Sequence, residues 1–385
     1  MRFSYKGDWS KRKLNEICQF FKGNGLSKSD LSNEGFPCIL YGELYTTYKN
    51  EVISDIISKT NTTLANPFLS RNNDLIIPGS GEDPIDIAVA RAIYQNDIIL
   101  GGDLNILRPK SNISAAFLSY QLNGVRRYDI AKKAQGKSIV HLHNSDLKEV
   151  LVSIPTYDEQ LHIVELLTKI DEMIDAQIKI IGDYNSLKKG IIQHIFNVNY
   201  EFPNVHLKAV LKEISQKNKN RDNIDVLSVS NSLGFIKQSE QFEDREIASA
   251  DTSNYKIVNK NEYAYNPARI NVGSIARLQS CDCGIVSPMY TVFKTDISKI
   301  SYEYFDLFLQ SSTFQKQLNQ KLEGSVRQCL TFASMQNILI ELPPLEMQIE
   351  ISEKMKFIDS KIKIESDYLN LLKTEKEYLL KNMFV

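Results

Sequence analysis

The sequence predicts an α+β fold, with two repeated strand-rich α/β domains separated by two long helices that pair as an antiparallel coiled coil. An internal repeat and the end of each copy support this prediction. Residues 136–155 match residues 324–343 at a constant offset of 188, and each copy ends in proline followed by a long helical pattern. A period this long indicates a duplicated domain, since solenoid repeats are much shorter.

The repeat extends beyond these segments, because Gln160 matches Gln348 and Asn73 matches Asn261 at the same offset. Each copy begins with short apolar runs broken by Gly, Pro, Asn and Asp, which are typical of strands and turns. The predicted segments are strand-rich domains at 1–153 and 199–341 and helices at 154–198 and 342–385.

The two helical patterns each carry an apolar stripe with spacings of three and four residues, and charged residues on the other faces. The stripe residues are Ile163, Leu167, Ile170, Ile174, Ile351, Met355, Ile358 and Ile362. Residues 158–196 would form a helix roughly 58 Å long. A stripe of this length needs an equally long cover. The other copy's helix is the simplest cover, and packing of each helix on its own domain is the alternative.

The composition indicates a globular protein and excludes disordered, collagen-like and disulfide-scaffold classes. The 385 residues are 42% hydrophobic, with 46 basic and 47 acidic side chains and a net charge of −1. The amino terminus lacks a secretory leader, no apolar run reaches membrane-spanning length, and the five scattered cysteines suit reduced thiols. These features predict a cytoplasmic protein without membrane contact.

The near-zero net charge counts at first against a nucleic-acid binder. Residues 1–150, however, hold 19 basic and 16 acidic side chains, whereas residues 151–200 hold 4 and 7. The strand-rich part is therefore mildly basic, and the acidic excess lies on the helix. The near-neutral total therefore does not exclude DNA binding.

No catalytic or metal-binding constellation is recognisable in the sequence. Cys281 and Cys283 lack a second ligand pair at zinc spacing, and His141 and His143 have no carboxylate or cysteine cluster beside them. Gly79-Ser80-Gly81 lacks the Gly-Lys-Ser/Thr ending of a phosphate loop. Residues 66–68 and 266–268 are each one proline short of an amino-methyltransferase loop. The sequence thus predicts neither catalytic residues nor a metal site.

The end of each copy carries a motif that resembles the specificity subunit of type I restriction-modification systems. Its residues are Ile154-Pro155, Glu159-Gln160 and Ile163 in the first copy and Leu342-Pro343-Pro344, Gln348 and Ile351 in the second. Residues 265–275 and 284–290 also resemble the recognition domains of that family. One departure is Met347, where the family usually has Glu.

The resemblance implies two target-recognition domains, each of which reads one half of a bipartite double-stranded DNA sequence. The helices would act as a spacer of fixed length, on which two modification (methyltransferase) subunits dock and which restriction (translocase/nuclease) subunits join. S-adenosylmethionine, ATP and magnesium would belong to those partners, so that this chain is a non-catalytic subunit.

Candidate DNA contacts cluster around Gly136, where a backbone without a side chain could approach a phosphate. Arg269 and Asn271, two residues apart, would share one face of a strand. Arginine suits guanine and asparagine suits adenine in the major groove. The full set of candidates is Tyr41, Glu43, Arg126, Arg127, Lys132, Lys133, Gly136, Lys137, Ser138, Arg269, Asn271, Lys321, Ser325 and Arg327. The alternative for each is a solvated charge or a structural turn.

Two other function classes stay open on the residues alone. One is a structural adaptor whose duplicated domains bind proteins on a coiled-coil scaffold, and the other is an enzyme. Duplex binding that depends on sequence and falls steeply with salt would separate DNA recognition from the adaptor. Methyl transfer by the purified chain would indicate an enzyme.

Overall fold

The computed structural model describes residues 8–197, 202–219, 224–238, 251–324 and 328–384. These form two compact units, the first of Met1–Ile180 with Glu365–Val385 and the second of Ile181–Ile364. Each unit therefore contains one strand-rich part, one half of the first long helix and one half of the second. The four segments predicted from the sequence divide the chain differently, at the helix ends, and stay a prediction.

The strand-rich part of the first unit contains a five-stranded sheet that is antiparallel except at one edge. In spatial order its strands are Cys18–Lys22, Leu104–Pro109, Asp74–Pro78, Arg91–Ile93 and Val52–Ile53. The smaller sheets are Ile99–Leu100, Phe36–Ile39, Ser58–Thr60 and Leu31–Ser32; Gln135–Gly136, Val140–His141 and Ser80–Gly81; and Ser10–Lys13 with Leu151–Ile154.

Short helices cover these sheets in the first unit. They are Leu14–Ile17, Glu43–Thr46, Pro84–Ile87, Ala115–Asn123, Arg127–Ala131 and Asn144–Lys148, with a 3-10 turn at Lys28–Asp30. Ala115–Asn123 is buried over almost its whole length and begins at Ser114, whose side chain accepts a hydrogen bond from the Phe117 N–H. Its few polar side chains, Ser119, Gln121 and Asn123, hydrogen-bond to backbone carbonyls within the core, as buried polar groups require.

The second unit repeats the main sheet with the same order of equivalent strands. In spatial order these are Leu211–Ile214, Thr291–Thr295, Tyr263–Tyr265 and Ile275–Arg277. The remaining strand pairs are Asn204–His206 with Leu339–Glu341, Leu227–Ser230 with Gly234–Lys237, and Lys256–Asn259 with Cys283–Val286. The helices are Tyr302–Leu309, Ser312–Lys321 and Phe332–Gln336, with 3-10 turns at Leu207–Ala209 and Ile270–Val272.

The repeat read from the sequence is confirmed by local conformation. Asn73 and Asn261, which match at the offset of 188, both adopt the left-handed region, with φ of 69° and 67°. Asparagine tolerates this conformation better than most residues. Gly136 and Gly324 also match and have φ of 142° and 103°.

The first long helix spans Tyr157–Asn197 and the second spans Leu345–Asn382. Within the first unit, Asp171 contacts Lys376 at 2.5 Å and Gln177 contacts Glu365 at 2.6 Å. The residue number rises along one helix as it falls along the other, so the helices run antiparallel, as predicted. None of the helices in the described ranges is long and apolar enough to span a bilayer.

The apolar stripe of the first long helix is buried against two surfaces of its own unit. Ile163, Leu167, Ile170 and Ile174 belong to one core that also contains Phe117 and residues of the second long helix, Leu372 and Leu379 among them. The sequence left two packing partners open for this stripe, the helix's own domain and the other long helix. The stripe packs against both.

The stripe of the second long helix is less completely covered. Met355 is buried in the core of the second unit, Ile351 and Ile358 are partly buried against it, and Ile362 is half-buried. The stripe residues were predicted to form partner-binding helices, and this assignment needs correction for the buried ones. Side chains that fill the protein's own core have no surface left for another subunit, which would meet the outer helix faces.

A buried glutamine joins each long helix to its own domain. Gln160, 1% exposed, accepts a hydrogen bond from the Ser114 N–H at 2.9 Å and donates to the carbonyls of Pro155 at 3.2 Å and Asn112 at 3.3 Å. One side chain thereby ties the start of the long helix to the start of the central helix Ala115–Asn123.

Gln348 repeats this network in the second unit. It accepts from the Ser301 N–H and donates to the carbonyls of Pro343 and Lys299, each at 2.9 Å. Ser301 also precedes a helix, Tyr302–Leu309, and its side chain accepts from the Tyr304 N–H. The glutamine of the sequence motif is therefore a structural anchor, present twice.

The residue before this glutamine differs between the copies, and so does its contact. Glu159 accepts a hydrogen bond from the indole N–H of Trp9 at 3.2 Å. The strand registers place Phe202 at the position equivalent to Trp9, and Met347 stands in place of Glu159. The second copy thus lacks both the donor and the acceptor, which explains the departure from the family motif.

Removal of the glutamine amide should destabilise its unit. Gln160→Ala leaves the Ser114 N–H and two carbonyls without their partner in a buried site, which costs about 1–3 kcal/mol for an unsatisfied group. We expect the free energy of unfolding in urea to fall by at least this amount. Lys179→Ala, on an exposed position of the same helix, is the matched control and should change it by less than about 0.5 kcal/mol. Equal effects of the two substitutions would contradict the anchor.

Substitution of Lys376 should have a large and pH-dependent effect. Lys376, 15% exposed at its side chain, contacts Glu51 at 2.6 Å and Asp171 at 2.5 Å. Lys376→Met leaves both carboxylates buried without a cation, which typically costs about 3–5 kcal/mol. Burial raises the pKa of Asp171, so the folded state holds this proton more tightly than the unfolded state. The variant's deficit should therefore shrink as pH falls from 8 to 5.

Lys188 provides a control for this experiment, because it occupies the equivalent position in the second copy. It contacts Asp359 at 2.5 Å, but the Asp359 side chain is 51% exposed. Lys188→Met should therefore cost less than about 1 kcal/mol. Urea unfolding at the two pH values measures both variants, and a pH-independent deficit for Lys376→Met would contradict the role of Asp171.

Candidate nucleic-acid interface

The residues around Gly136 form an exposed hairpin in the first unit. Strand Gln135–Gly136 pairs with Val140–His141, which pairs in turn with Ser80–Gly81. Lys137 and Ser138 are exposed at the tip, beside an exposed Ile139. Two polar side chains and one apolar side chain thus project together into solvent.

Gly136 itself has a different role from the one expected. The sequence suggested that its backbone approaches a phosphate. A Cβ added at Gly136, however, would lie 1.9 Å from the carbonyl oxygen of Ile139, and its φ is 142°. The glycine is therefore required for the hairpin to close on itself, and its connection with a ligand stays a prediction.

The four cations before the hairpin differ in how free they are. Arg126 contacts Asp129 at 3.4 Å, and the guanidinium of Arg127 donates to the Ile85 carbonyl at 3.1 and 3.3 Å. Lys133 is half-buried, whereas Lys132 is exposed. Lys132 is accordingly the most accessible of the four to a ligand, and Lys137 at the hairpin tip is exposed as well.

Tyr41 and Glu43 lie at the start of a short helix and both take part in local structure. The carboxylate of Glu43 accepts a hydrogen bond from the Leu40 N–H at 2.7 Å and another from the Ser58 hydroxyl. Tyr41 is partly buried against a core of the same unit. Both oxygens of Glu43 thus have intramolecular donors, which the sequence did not indicate.

Arg269 and Asn271 are exposed but do not lie on a strand, which corrects the prediction. Ile270–Val272 is a 3-10 turn that Gly273 closes with φ of 92°. In the segment just before it, Asn266 accepts a hydrogen bond from the Ala268 N–H at 3.1 Å. Residues two apart in a 3-10 turn point in different directions, because three residues complete one turn.

Lys321 is half-buried at the end of Ser312–Lys321. Ser325 and Arg327 lie outside the described residues. His141 and His143 are stacked, with ring centroids 6.1 Å apart and an interplanar angle of 2°. Within the described ranges, no group of three or more His, Cys, Asp or Glu side chains is arranged to hold a metal ion.

The structure also assembles cations that the sequence argument missed. Arg91, Arg127 and Lys376 line a cavity of about 510 Å³ in the first unit, with further lysines at its rim. They come from a strand, a short helix and the second long helix. No local motif connects residues so far apart in sequence, so only long-range contacts bring them together.

One protein family matches both copies of the repeat. The family described as type I restriction modification DNA specificity domain matches residues 6–181 and 212–374. The MjaX and MjaVIII type I restriction enzyme specificity subunits of Methanocaldococcus jannaschii are 23% and 21% identical to this chain. Each alignment covers 93% of this chain and 88% of the relative.

Solved structures share the fold at lower identity. The S subunit of a type I restriction-modification system from M. genitalium superposes with a TM-score of 0.58 at 15% identity, over 98% of this chain and 96% of that one. A chain from a structure on complex assembly and conformational transition of the type I R-M system gives 0.60 at 14% identity, over 98% of both. The duplicated architecture is therefore shared with S subunits.

Substitution of Gly136 should disturb the hairpin. Gly136→Ala places a Cβ against the Ile139 carbonyl at a φ that L-residues rarely adopt, so we expect a loss of about 1–3 kcal/mol in the free energy of unfolding. Faster proteolytic cleavage near residues 136–139 should accompany it. Gly182→Ala is the matched control, since a Cβ there meets nothing within 4 Å in a long helix. It should stabilise the protein by up to about 1 kcal/mol, and a loss there would contradict this account.

Proposed function

The chain belongs to the family of type I restriction modification DNA specificity domains, and on this premise we propose that it is the sequence-specific DNA-recognition subunit of a type I restriction-modification complex. The strand-rich part of each unit reads one half of a bipartite duplex target. The long helices fix the spacing between the halves and bind the modification subunits.

The observation that carries this proposal is a shared framework with different exposed side chains. The two copies keep the glutamine anchor, the left-handed asparagine and the positive-φ glycine. They differ at exposed or partly exposed positions: Arg127 and Lys132 correspond to Gln315 and Gln320 at the repeat offset. Two readers of different half-sites need such a combination, because direct readout depends on the side chains that reach the base edges.

Phosphate contacts position a protein on DNA, and base contacts specify the sequence. Lys132 and Lys137 are exposed and suited to the first task, whereas Arg269 and Asn271 have the side chains suited to the second. The near-neutral charge of the chain supports an arrangement in which partner subunits provide much of the phosphate contact. Duplex binding should therefore become firm in the assembled complex.

The outer faces of the long helices are suited to bind the modification subunits. Met173 and Leu371, on the helix halves of the first unit, are 45% and 67% exposed, and Leu187 and Phe357, on those of the second, are 51% and 64% exposed. Exposed large apolar side chains that recur along one element are a feature of protein interfaces. Two modification subunits would use this surface, and restriction subunits would join the complex.

The chemistry belongs to those partners in this proposal. Methyl transfer would use S-adenosylmethionine, and cleavage and translocation would use ATP and magnesium, all bound by the other subunits. This chain would contribute recognition and positioning without catalysis. Methyl transfer by the purified chain in the absence of a modification subunit would contradict that division.

Methylation mapping in cells tests the proposal most directly. Cells with the modification subunit but without this gene should lose methylation at one bipartite sequence, and restoring the gene should restore it. Replacement of the strand-rich part of the second unit by that of a relative should change one half of the sequence and leave the other half unchanged. A methylation pattern that does not depend on this gene, while the modification subunit is active, would refute the recognition role.

A further inference from the structure

The first unit contains a cavity of about 510 Å³, a size common among small-ligand sites. Six cationic side chains line it: Lys49, Arg91, Arg127, Lys373, Lys376 and Lys381. Three carboxylates also line it, those of Glu51, Asp86 and Glu377. Such an excess of cations around one cavity indicates an anionic occupant.

Arg91 is the most deeply placed of these cations. It is 6% exposed, and its guanidinium donates only to backbone carbonyls, those of Leu44 at 3.2 Å and Ala90 at 3.5 Å. Within the described ranges it makes no ion pair at 4.0 Å or less. Burial lowers the pKa of Arg91 and the charge of Arg127 lowers it further, whereas the charges of Glu51 and Asp171 oppose this shift. A buried cation without a paired anion is costly.

The inner carboxylates Glu51 and Asp171 offset the charge of Arg91 only in part, because both form their direct ion pairs with Lys376. Glu51 accepts from Lys376 at 2.6 Å and from the Asn123 side chain at 3.3 Å. Asp171 contacts Lys376 from the core at 2.5 Å. When Asp171 is counted with the three lining carboxylates, two of the six positive charges stay uncompensated.

The cation cluster is complete only in the first copy, since of its members Lys376 has an equivalent in Lys188 but Arg91, Lys373 and Lys381 are replaced. The strand registers pair Ile76 with Arg91 and the equivalent Ala264 with Ala276, so Ala276 replaces Arg91 in the second copy. At the repeat offset, Asn185 and Gln193 replace Lys373 and Lys381. A structural requirement of the fold would apply to both copies, whereas a ligand site need not.

We propose that this cavity binds a phosphate group, with Arg91 at its base and Arg127 and Lys373 nearer its opening. The planar guanidinium fork of arginine matches the oxygens of phosphate. The phosphate comes either from a free phosphate or nucleotide or from the backbone of the bound duplex, and the second source rests on the proposed function.

The position of the cavity beside the Gly136 hairpin supports the backbone source. Strand Ser80–Gly81 pairs with the hairpin. A Cβ added at Gly81 would lie 3.6 Å from the hydroxyl of Tyr45, which lines the cavity. A duplex that contacts the hairpin tip would thus have phosphates close to the opening.

Titration of inorganic phosphate and of a nucleoside triphosphate into the full chain, assembled with its modification subunit, tests the site. Binding is measured by calorimetry against sodium chloride at equal ionic strength. We expect saturable phosphate binding that weakens at least tenfold in Arg91→Met, which keeps an unbranched apolar stem and removes the guanidinium with its charge. Lys59→Met, at an exposed strand position of the same unit, is the control and should bind as the unsubstituted chain does.

The salt dependence of duplex affinity distinguishes the two sources. If a backbone phosphate occupies the site, Arg91→Met should reduce the slope of log affinity against log salt by about one, as expected for one lost phosphate contact. If the ligand is free, phosphate binding should be lost while the slope stays unchanged. If the unsubstituted complex methylates DNA without sequence specificity, the proposed function is contradicted. The phosphate titration still tests the cavity in that case, because it does not depend on DNA recognition.

Lys373→Met keeps the proposal falsifiable if Arg91→Met fails to fold, because Lys373 is exposed at the opening and its removal leaves the core intact. A three- to tenfold loss of phosphate affinity or a shallower salt slope would support the site. Unchanged phosphate binding and unchanged slopes in both variants would overturn it. Weaker assembly with the modification subunit, without any change in phosphate or duplex binding, would also overturn it, since the occupant would then be an acidic side chain of the partner.

Discussion

Each long helix depends on one buried glutamine side chain for its attachment to the strand-rich part of its unit. Gln160 and Gln348 each join three backbone groups: the N–H that precedes a short core helix, a carbonyl two residues earlier, and the carbonyl of the proline before the long helix. Because the amide both accepts and donates, it fixes the direction in which the helix leaves the domain. Within the same unit, the helix contacts that follow start from this attachment.

The antiparallel pairing of the long helices forms an equivalent Lys–Asp contact in each unit. Lys376 and Asp171 meet in the first unit, and the equivalent Lys188 and Asp359 meet in the second. The first pair is buried and gains Glu51 from the strand-rich part, whereas the carboxylate of the second pair is half exposed. A buried pair depends strongly on its geometry, since either charge alone would be costly. Both copies therefore keep the contact, but its contribution to the free energy of unfolding differs between them.

The differences between the copies follow a consistent pattern. The groups that hold helix to domain are shared or are replaced together, as Trp9 and Glu159 are by Phe202 and Met347. Side chains at the hairpin, the 3-10 turn and the cation-lined cavity differ without such compensation. Residues that do not stabilise the framework are free to diverge, which is what recognition of two different half-sites requires. The near-zero net charge of the chain does not reveal this difference between framework residues and exposed residues. The charges of buried ion pairs count in the total, although they are not accessible to a ligand.

The sequence by itself determined the duplication and the two long helices, and it favoured their antiparallel pairing. Local periodicity indicates the helices, and a repeat at constant offset indicates the duplication. Both patterns can be recognised without knowing which distant residues are in contact. Only the tertiary structure decided the roles of particular side chains. Gly136 serves its own hairpin, Arg269 and Asn271 lie at a 3-10 turn, and Arg91 lines one cavity with lysines that follow it by more than 280 residues. Such roles depend on what each side chain touches across the fold, and no pattern of neighbours along the chain encodes that.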